Sequence, residues 1–134
     1  MLCDAGPLVA FFDRSDRNHT RCVAVLATLV APLLTTWPCF AEAMYLLARY
    51  GGQPAQDALW SYVEDGIVTF HVSSEAEQKQ MRTLMQKYKD TPMDLADASL
   101  VTAAEVLNVT RIFTTDSDFY VYQIGGKKPF EVLP

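Results

Sequence analysis

The stretch DLADASLVTAAEVLNVTRIFTTD, residues 94–116, decides the fold. Residues 94–108 are apolar and rich in alanine, which predicts a helix. Residues 111–115 (RIFTT) are rich in β-branched residues, which predicts a strand that ends directly before Asp116. A helix that leads into a short strand is half of a strand–helix repeat, so this stretch indicates an α/β protein.

The rest of the chain continues the alternation of strands and helices. Further strands are predicted over residues 1–3, 33–36, 67–71 and 129–133, the last of them at an edge of the sheet. Further helices are predicted over residues 7–13, 17–31, 37–50, 54–65 and 75–89. Strands separated by helices predict right-handed crossovers, and therefore a mostly parallel sheet with helices on both faces, a three-layer α/β/α architecture. Ligands of such sheets bind outside the carboxyl ends of the strands.

Local signals predict where two of these helices begin and end. We expect Thr36 to cap the helix over residues 37–50, and the glycine pair 51–52 to end it. Ser74 and Glu77 have the spacing of a capping box at the start of the helix over residues 75–89.

Composition favours one compact unit. The chain has 134 residues, of which 50% are apolar and 20% charged, so we expect a single domain over residues 1–134. Three cysteines without a C-x-x-C spacing argue against a disulfide framework or a zinc site, and favour buried thiols in a reducing compartment. The sequence has no leader pattern, and its apolar stretch near residues 22–34 is too short to span a membrane. These features predict a cytoplasmic protein.

The net charge of −5 by itself argues against binding to nucleic acid, because an acidic protein repels the phosphate backbone. Four of the acids, however, occupy special places. Asp4 and Asp116 end predicted strands, whereas Glu42 and Asp97 lie early in predicted helices. Strand ends and helix starts share one edge of a doubly wound sheet, so the four carboxylates can converge there.

Converging carboxylates repel one another unless a cation joins them, and all-oxygen ligands suit Mg²⁺ or Mn²⁺. The corresponding chemistry is metal-assisted hydrolysis of a phosphodiester. Asp94 and Asp118 are explained equally well as helix caps or as partners of a helix dipole.

Four segments of the chain resemble, in order, the motifs of PIN-domain nucleases. They are LCDAGPLVA (2–10), TWPCFAE (36–42), MDLADASLV (93–101) and FTTDSDF (113–119). The resemblance implies a PIN-like fold with a Mg²⁺- or Mn²⁺-dependent acidic site. In this short form it looks like the VapC-type toxins of toxin–antitoxin pairs. Those are endoribonucleases, usually homodimers, whose antitoxin covers the active site.

The resemblance assigns roles to individual residues. It makes Asp4, Glu42, Asp97 and Asp116 the metal-binding and catalytic acids. It gives Asp94 and Asp118 only the role of accessory acids. One position departs from the family, because many members have Thr or Ser directly after the first Asp and this chain has Ala5. We expect the missing hydroxyl to come from Thr115 or Ser117.

Three functions are open at this point. The first is a metal-dependent endoribonuclease acting as a toxin with a cognate antitoxin. The second is a PIN nuclease in RNA processing without an antitoxin; a small upstream reading frame would distinguish the two. The third is a phosphoacceptor signalling domain, but its paired acids after the first strand and its Asp after the third are missing here.

A bound metal would also change the charge argument. One divalent cation takes the net charge from −5 to −3, and a second takes it to −1. The acids would then attract phosphate, with rim cations completing the RNA-binding surface. The candidates for these cations are Arg14, Arg17, Lys127 and Lys128.

Overall fold

A five-stranded parallel sheet forms the centre of the computed structural model, which describes residues 1–134. Its order is β3-β2-β1-β4-β7, with β1 Leu2–Cys3, β2 Leu33–Thr36, β3 Val68–His71, β4 Arg111–Phe113 and β7 Glu131–Leu133. The helices are α1 Ala5–Ala10, α2 His19–Leu26, α3 Trp37–Glu64, α4 Glu75–Lys87 and α5 Leu95–Leu107. A short 3₁₀ helix covers Ser117–Tyr120, and β5 Gln123–Ile124 pairs with β6 Lys128–Pro129 in a separate antiparallel hairpin.

The strand order sorts the helices into two layers. The chain passes from β1 through β2 to β3 in one direction, and then reverses to reach β4 and β7. Because such crossovers are right-handed, α1 to α3 cover one face and α4 and α5 cover the other. The reversal lies between β1 and β4, and the crevice outside their carboxyl ends is therefore the expected ligand site. The predicted α/β/α architecture is confirmed.

The core is one cluster of 30 buried apolar residues on both sides of the sheet. Helix α5 contributes most of one layer, because every residue from Ala96 to Ala104 is buried. All three cysteines are buried and none forms a disulfide, as composition predicted.

Two helix boundaries differ from the predictions. α1 begins at Ala5 because the Asp4 carboxylate accepts a hydrogen bond from the Ala5 N–H (2.6 Å). α2 ends at Leu26, and tighter turns carry the chain on towards Pro32. The predicted break at the glycine pair is confirmed: Gly52 has a non-helical backbone with a positive φ of 65°, so a kink there divides α3 into two helical segments.

Two smaller features also differ. Thr36 stands at the N-cap position of α3 but makes no cap hydrogen bond, because its hydroxyl is paired with that of Ser99 (2.6 Å). The β5–β6 hairpin was not predicted, although its tip contains the basic turn at Lys127 and Lys128. The capping box of α4 and the edge position of the last strand are confirmed. Membrane crossing would require a longer or more apolar helix than any present.

Candidate active site

Asp4 lies at the centre of the carboxyl edge, between the ends of β1 and β4. Its N–H donates to the Phe113 carbonyl (3.0 Å), which continues the sheet ladder to the point where the side chain leaves it. The carboxylate is 7% exposed, and its two oxygens accept hydrogen bonds from the Ala5 N–H (2.6 Å) and the Thr114 hydroxyl (2.7 Å). The site is thus organised around a buried, fully oriented carboxylate.

Thr114 links two of the predicted acids. Its hydroxyl donates to Asp4 and accepts the N–H of Asp116 (3.0 Å). The expectation that Thr115 or Ser117 supplies the orienting hydroxyl is wrong for the Asp4 carboxylate. The Thr115 hydroxyl instead lies against Gly6, where an added Cβ would come within 2.4 Å of it.

Asp116 follows β4 by three residues, and its side chain caps the 3₁₀ helix. Its Oδ1 accepts the N–H of Asp118 (2.8 Å). The N–H of Tyr122 in turn donates to the Asp118 carbonyl (3.1 Å). This chain of local bonds connects Asp116 to the segment that carries Tyr122.

Asp94 and Asp97 form a reciprocal pair at the start of α5. The Asp97 N–H donates to Asp94 Oδ1 (2.8 Å), and the Asp94 N–H donates to Asp97 Oδ2 (3.4 Å). The buried Tyr122 hydroxyl donates to the same Asp97 Oδ2 (3.0 Å). Asp94 is therefore a helix cap, which is one of the two roles predicted for it, and its negative charge lies beside that of Asp97.

The negative charges of the acids raise one another's pKa values. Burial, and then the charges of Asp116 and Asp94, raise the pKa of Asp4 against the hydrogen bonds it accepts. Partial burial of Glu42, in the second turn of α3, raises its pKa together with the charges of Asp94, Asp4 and Asp116. The structure thus brings together Asp4, Glu42, Asp94 and Asp116.

The pKa of Asp97 is raised as well. Burial and the neighbouring charges of Asp94 and Asp4 raise its pKa to about 7, although the Tyr122 hydrogen bond acts in the opposite direction. The two ion pairs of the protein, His71–Glu77 and Arg111–Glu131, include none of these acids. The cluster therefore carries negative charge without a cationic partner from the chain.

The residues fit a hard divalent cation by charge and by donor type, since every candidate ligand is a carboxylate oxygen. No three His, Cys, Asp or Glu side chains are close enough to enclose one metal ion. Mg²⁺ is commonly bound by one or two carboxylates directly, with water and substrate phosphate as further ligands, so the remaining acids would act through water.

The predicted RNA-binding cations are dispersed. Arg14 and Arg17 are exposed in the loop between α1 and α2. The hairpin that carries Lys127 and Lys128 is tied by the Gly125 N–H to Glu105 (3.1 Å). Glu105 lies eight residues beyond Asp97 on α5, about 12 Å along the helix. The structure therefore does not bring the two lysines to the acids.

Three residues of the site were not singled out from the sequence. Thr114 and Tyr122 orient Asp4 and Asp97, and the Cys39 thiol contacts Asp4 Oδ1 (3.8 Å). Burial and the Asp4 charge raise the pKa of Cys39 well above its ordinary value, so this sulfur stays protonated. Only their position next to acidic motifs marked Thr114 and Cys39, and no local pattern marked Tyr122.

Comparisons with known proteins bear on the fold and on the predicted resemblance. No family model matches the chain. The sequence is 27% identical, over 136 residues and the full length of both chains, to Ribonuclease VapC26 of Mycobacterium tuberculosis. The predicted resemblance to VapC-type PIN domains is confirmed. The fold also matches the crystal structure of M. tuberculosis VapC20, described as a sarcin-ricin loop cleaving toxin. That match has a TM-score of 0.84 at 16% identity and covers 99% of this chain and 98% of the other, so the VapC-type fold includes all four acidic segments.

Proposed function

We propose that the protein is a Mg²⁺- or Mn²⁺-dependent endoribonuclease and the toxin of a toxin–antitoxin pair, with residues 1–134 acting as one PIN domain. The full-length similarity to a protein named as a ribonuclease supports the nuclease activity. The structural match to a toxin that cleaves the sarcin-ricin loop supports the same substrate class, RNA. The proposed metal-binding and catalytic acids are Asp4, Glu42, Asp97 and Asp116, with Asp94 and Asp118 as accessory acids.

One observation carries this proposal: carboxylates gather at the switch point of the sheet without a cation from the chain. Three of them, Asp4, Glu42 and Asp97, have raised pKa values because of burial and mutual repulsion. A purely structural cluster would be costly to maintain, since burying like charges opposes folding. Strongly perturbed groups of this kind concentrate at functional sites.

The side chains divide the work of phosphodiester hydrolysis. Asp4, Glu42, Asp97 and Asp116 would hold a divalent cation, directly or through water, and that cation would supply water activation and stabilisation of negative charge on the phosphoryl group. Asp4 is held in one orientation by Thr114 and by the N–H of Ala5. Tyr122 holds Asp97 in the same way. These bonds keep the acids in place, so little reorganisation is needed when substrate arrives.

Asp97 is also placed to handle a proton. A carboxyl with a pKa of about 7 exchanges its proton close to neutral pH, which suits a general base or acid. Cation binding would lower that pKa by favouring the ionised carboxylate. We therefore expect Asp97 to be protonated in the free protein more often than in the loaded one.

The proposal extends to partners and location. We propose a homodimer that acts on RNA in the cytoplasm and is inhibited by a cognate antitoxin protein. A PIN nuclease that processes RNA without an antitoxin would have the same site, so the difference lies in the partner. Induced expression should arrest growth, and co-expression of the small upstream reading frame should restore it. Growth that is unaffected by induction would contradict the toxin assignment and leave the nuclease assignment open to the next test.

The direct test is cleavage of RNA by the purified protein. We expect wild-type protein with Mn²⁺ to cut single-stranded RNA, EDTA to stop it, and Asp4→Asn to reduce the rate at least ~100-fold. Asp57→Asn, an exposed acid in the second half of α3, serves as the matched control and should cleave normally. Absence of cleavage by wild type, or equal rates for Asp4→Asn and wild type, would overturn the proposal.

A further inference from the structure

A small polar cavity opens beside Asp116, at the margin of the acid cluster. Its volume is about 140 Å³, and we name it the Arg21 cavity. The start of α2, the segment after β4 and the 3₁₀ helix supply most of its wall. The residues that matter for its chemistry are Asn18, Arg21, Thr115, Asp116, Ser117 and Tyr120.

The lining is suited to an anion. Arg21 is its single basic residue, and the hydroxyls of Thr115 and Ser117 are further donors. Asn18 stands at the N-cap of α2 yet makes no cap hydrogen bond, so its side-chain amide is available. The N-terminal end of the eight-residue helix α2 adds a partial positive charge. Asp116 is the single acid of the lining, and it belongs to the proposed metal-binding set.

Arg21 is held in place over this cavity. One guanidinium N–H donates to the Pro134 backbone oxygen (2.6 Å), and both residues line the wall. A guanidinium has five N–H donors, so this bond leaves several for a ligand. The planar group matches two oxygens of one phosphate, which makes it the preferred side chain for such recognition.

Tyr120 adds a surface for a base. It is 72% exposed, although it directly follows Phe119, which is completely buried and packs against Tyr122 and Phe130. The buried neighbour anchors the 3₁₀ helix, and the exposed ring is thus presented at the mouth of the cavity. Exposed aromatic rings of this kind stack with bases of single-stranded nucleic acid.

We propose that the Arg21 cavity binds the phosphate of a nucleotide adjacent to the cleaved bond, while the base of that nucleotide stacks on Tyr120. The inference deepens the proposed function and rests on it, because Asp116 joins the cavity to the acids that would hold the metal.

The test measures binding separately from cleavage. Labelled single-stranded RNA of mixed sequence is titrated with the full chain in Ca²⁺, which replaces Mn²⁺ to limit cutting. Arg21→Gln removes the charge but retains a donor for Pro134, and we expect it to raise Kd about tenfold and to lower the salt slope by about one. The matched control is Arg111→Gln at the opposite end of β4, whose affinity should stay close to that of wild type.

A second variant pair tests the stacking surface independently. Tyr120→Ala should raise Kd about tenfold, whereas Tyr120→Phe should bind as wild type does, because the ring is retained. Neither change removes a buried side chain, so both variants should keep the wild-type melting temperature.

The outcomes separate this inference from the proposed function. Wild-type affinity in Arg21→Gln would overturn the inference, as would equal weakening by Arg111→Gln, and the first result would favour another anion such as an acidic protein segment. RNA that is bound in the expected manner but never cut with Mn²⁺ would overturn the proposed function and leave the cavity assignment standing.

Discussion

Helices α4 and α5 begin with the same capping motif, but the pKa of the acid in that motif is lowered in α4 and raised in α5. Each starts with a capping box in which the N-cap side chain accepts the N3 N–H and the N3 carboxylate accepts the N-cap N–H. The pairs are Ser74 with Glu77 and Asp94 with Asp97. Both N3 carboxylates are buried, with residues 6% and 7% exposed respectively.

The surroundings of the two carboxylates decide the difference. Burial alone would raise the pKa of Glu77, but hydrogen bonds from the Ser74 N–H and from His71 outweigh burial and lower it. Burial, together with the charge of its acidic N-cap partner Asp94, raises the pKa of Asp97 to about 7. The hydrogen bond from the Tyr122 hydroxyl compensates only partly. With neutral or cationic partners, the N3 carboxylate stays ionised and the capping box stabilises the start of the helix. With an acidic partner, the N3 carboxylate can instead take up a proton or bind a metal ion.

The largest expected difference between Asp97 and Glu77 is their effect on the rate of RNA cleavage. Asp97→Asn keeps an acceptor for Tyr122 and for the Asp94 N–H but removes the charge, and we expect RNA cleavage with Mn²⁺ to fall ~100- to 1,000-fold. Glu77→Gln is the matched change in α4 and should cleave at nearly the wild-type rate. Initial rates under identical conditions measure both, and a rate for Asp97→Asn above a tenth of wild type would contradict the role of Asp97.

The same two variants should differ in the sign of their stability change. Because the folded pKa of Asp97 is raised, ionising it costs stability as pH rises from about 4 to 7, and Asp97→Asn should be more stable at pH 7 by about 2 kcal/mol in EDTA. Because the pKa of Glu77 is lowered, its contribution is present above about pH 4.5 and lost as pH falls; Glu77→Gln should cost about 1–2 kcal/mol at pH 7.

Urea unfolding at pH 4, 5.5 and 7 measures this pair of trends. The advantage of Asp97→Asn should grow with pH, whereas the deficit of Glu77→Gln should shrink towards low pH. Changes of the same sign in both variants at pH 7 would show that the two capping boxes are electrostatically alike.

A smaller effect is expected from the hydrogen bond of the Tyr122 hydroxyl, which lowers the pKa of Asp97. Tyr122→Phe removes the hydroxyl that favours the ionised carboxylate, so the pKa of Asp97 should rise further. We expect cleavage at neutral pH to fall about tenfold, with the acid limb of the pH–rate profile displaced to higher pH. Tyr88→Phe, which removes a hydroxyl bonded to the Gln123 N–H, is the control. An unshifted profile in Tyr122→Phe would limit Tyr122 to a packing role.

The smallest expected effect is a stabilisation by metal. Mn²⁺ at about ten times its Kd should stabilise the wild-type fold by about 1.4 kcal/mol, seen as a rise of a few degrees in melting temperature. Glu77→Gln should show the same rise, whereas Asp97→Asn should show little of it. An equal response in Asp97→Asn would place the metal elsewhere.

The features predicted correctly from the sequence depend on neighbours along the chain. The capping box at Ser74 and Glu77 spans three residues, and strand 33–36 is a short β-branched and apolar run that ends at a helix start. The features that were missed depend on partners far away. The hydroxyl of Thr36 pairs with Ser99, 63 residues later, and Thr114 reaches Asp4 across 110 residues. No periodicity or propensity encodes such pairings, because they join elements that become neighbours only in the folded chain.

The sequence by itself determined the order and type of the elements, the alternation that makes the sheet parallel, and the acids at strand ends and helix starts. It placed Glu77 in a capping box and Asp97 among the metal-binding acids, but it did not show that both occupy the N3 position of a capping box and differ in pKa. Only the tertiary structure decided that His71 stands beside the first and Asp4 and Tyr122 beside the second. The physical reason is that a pKa depends on burial and on the distance to charges in space, which the spacing of residues along the chain does not specify.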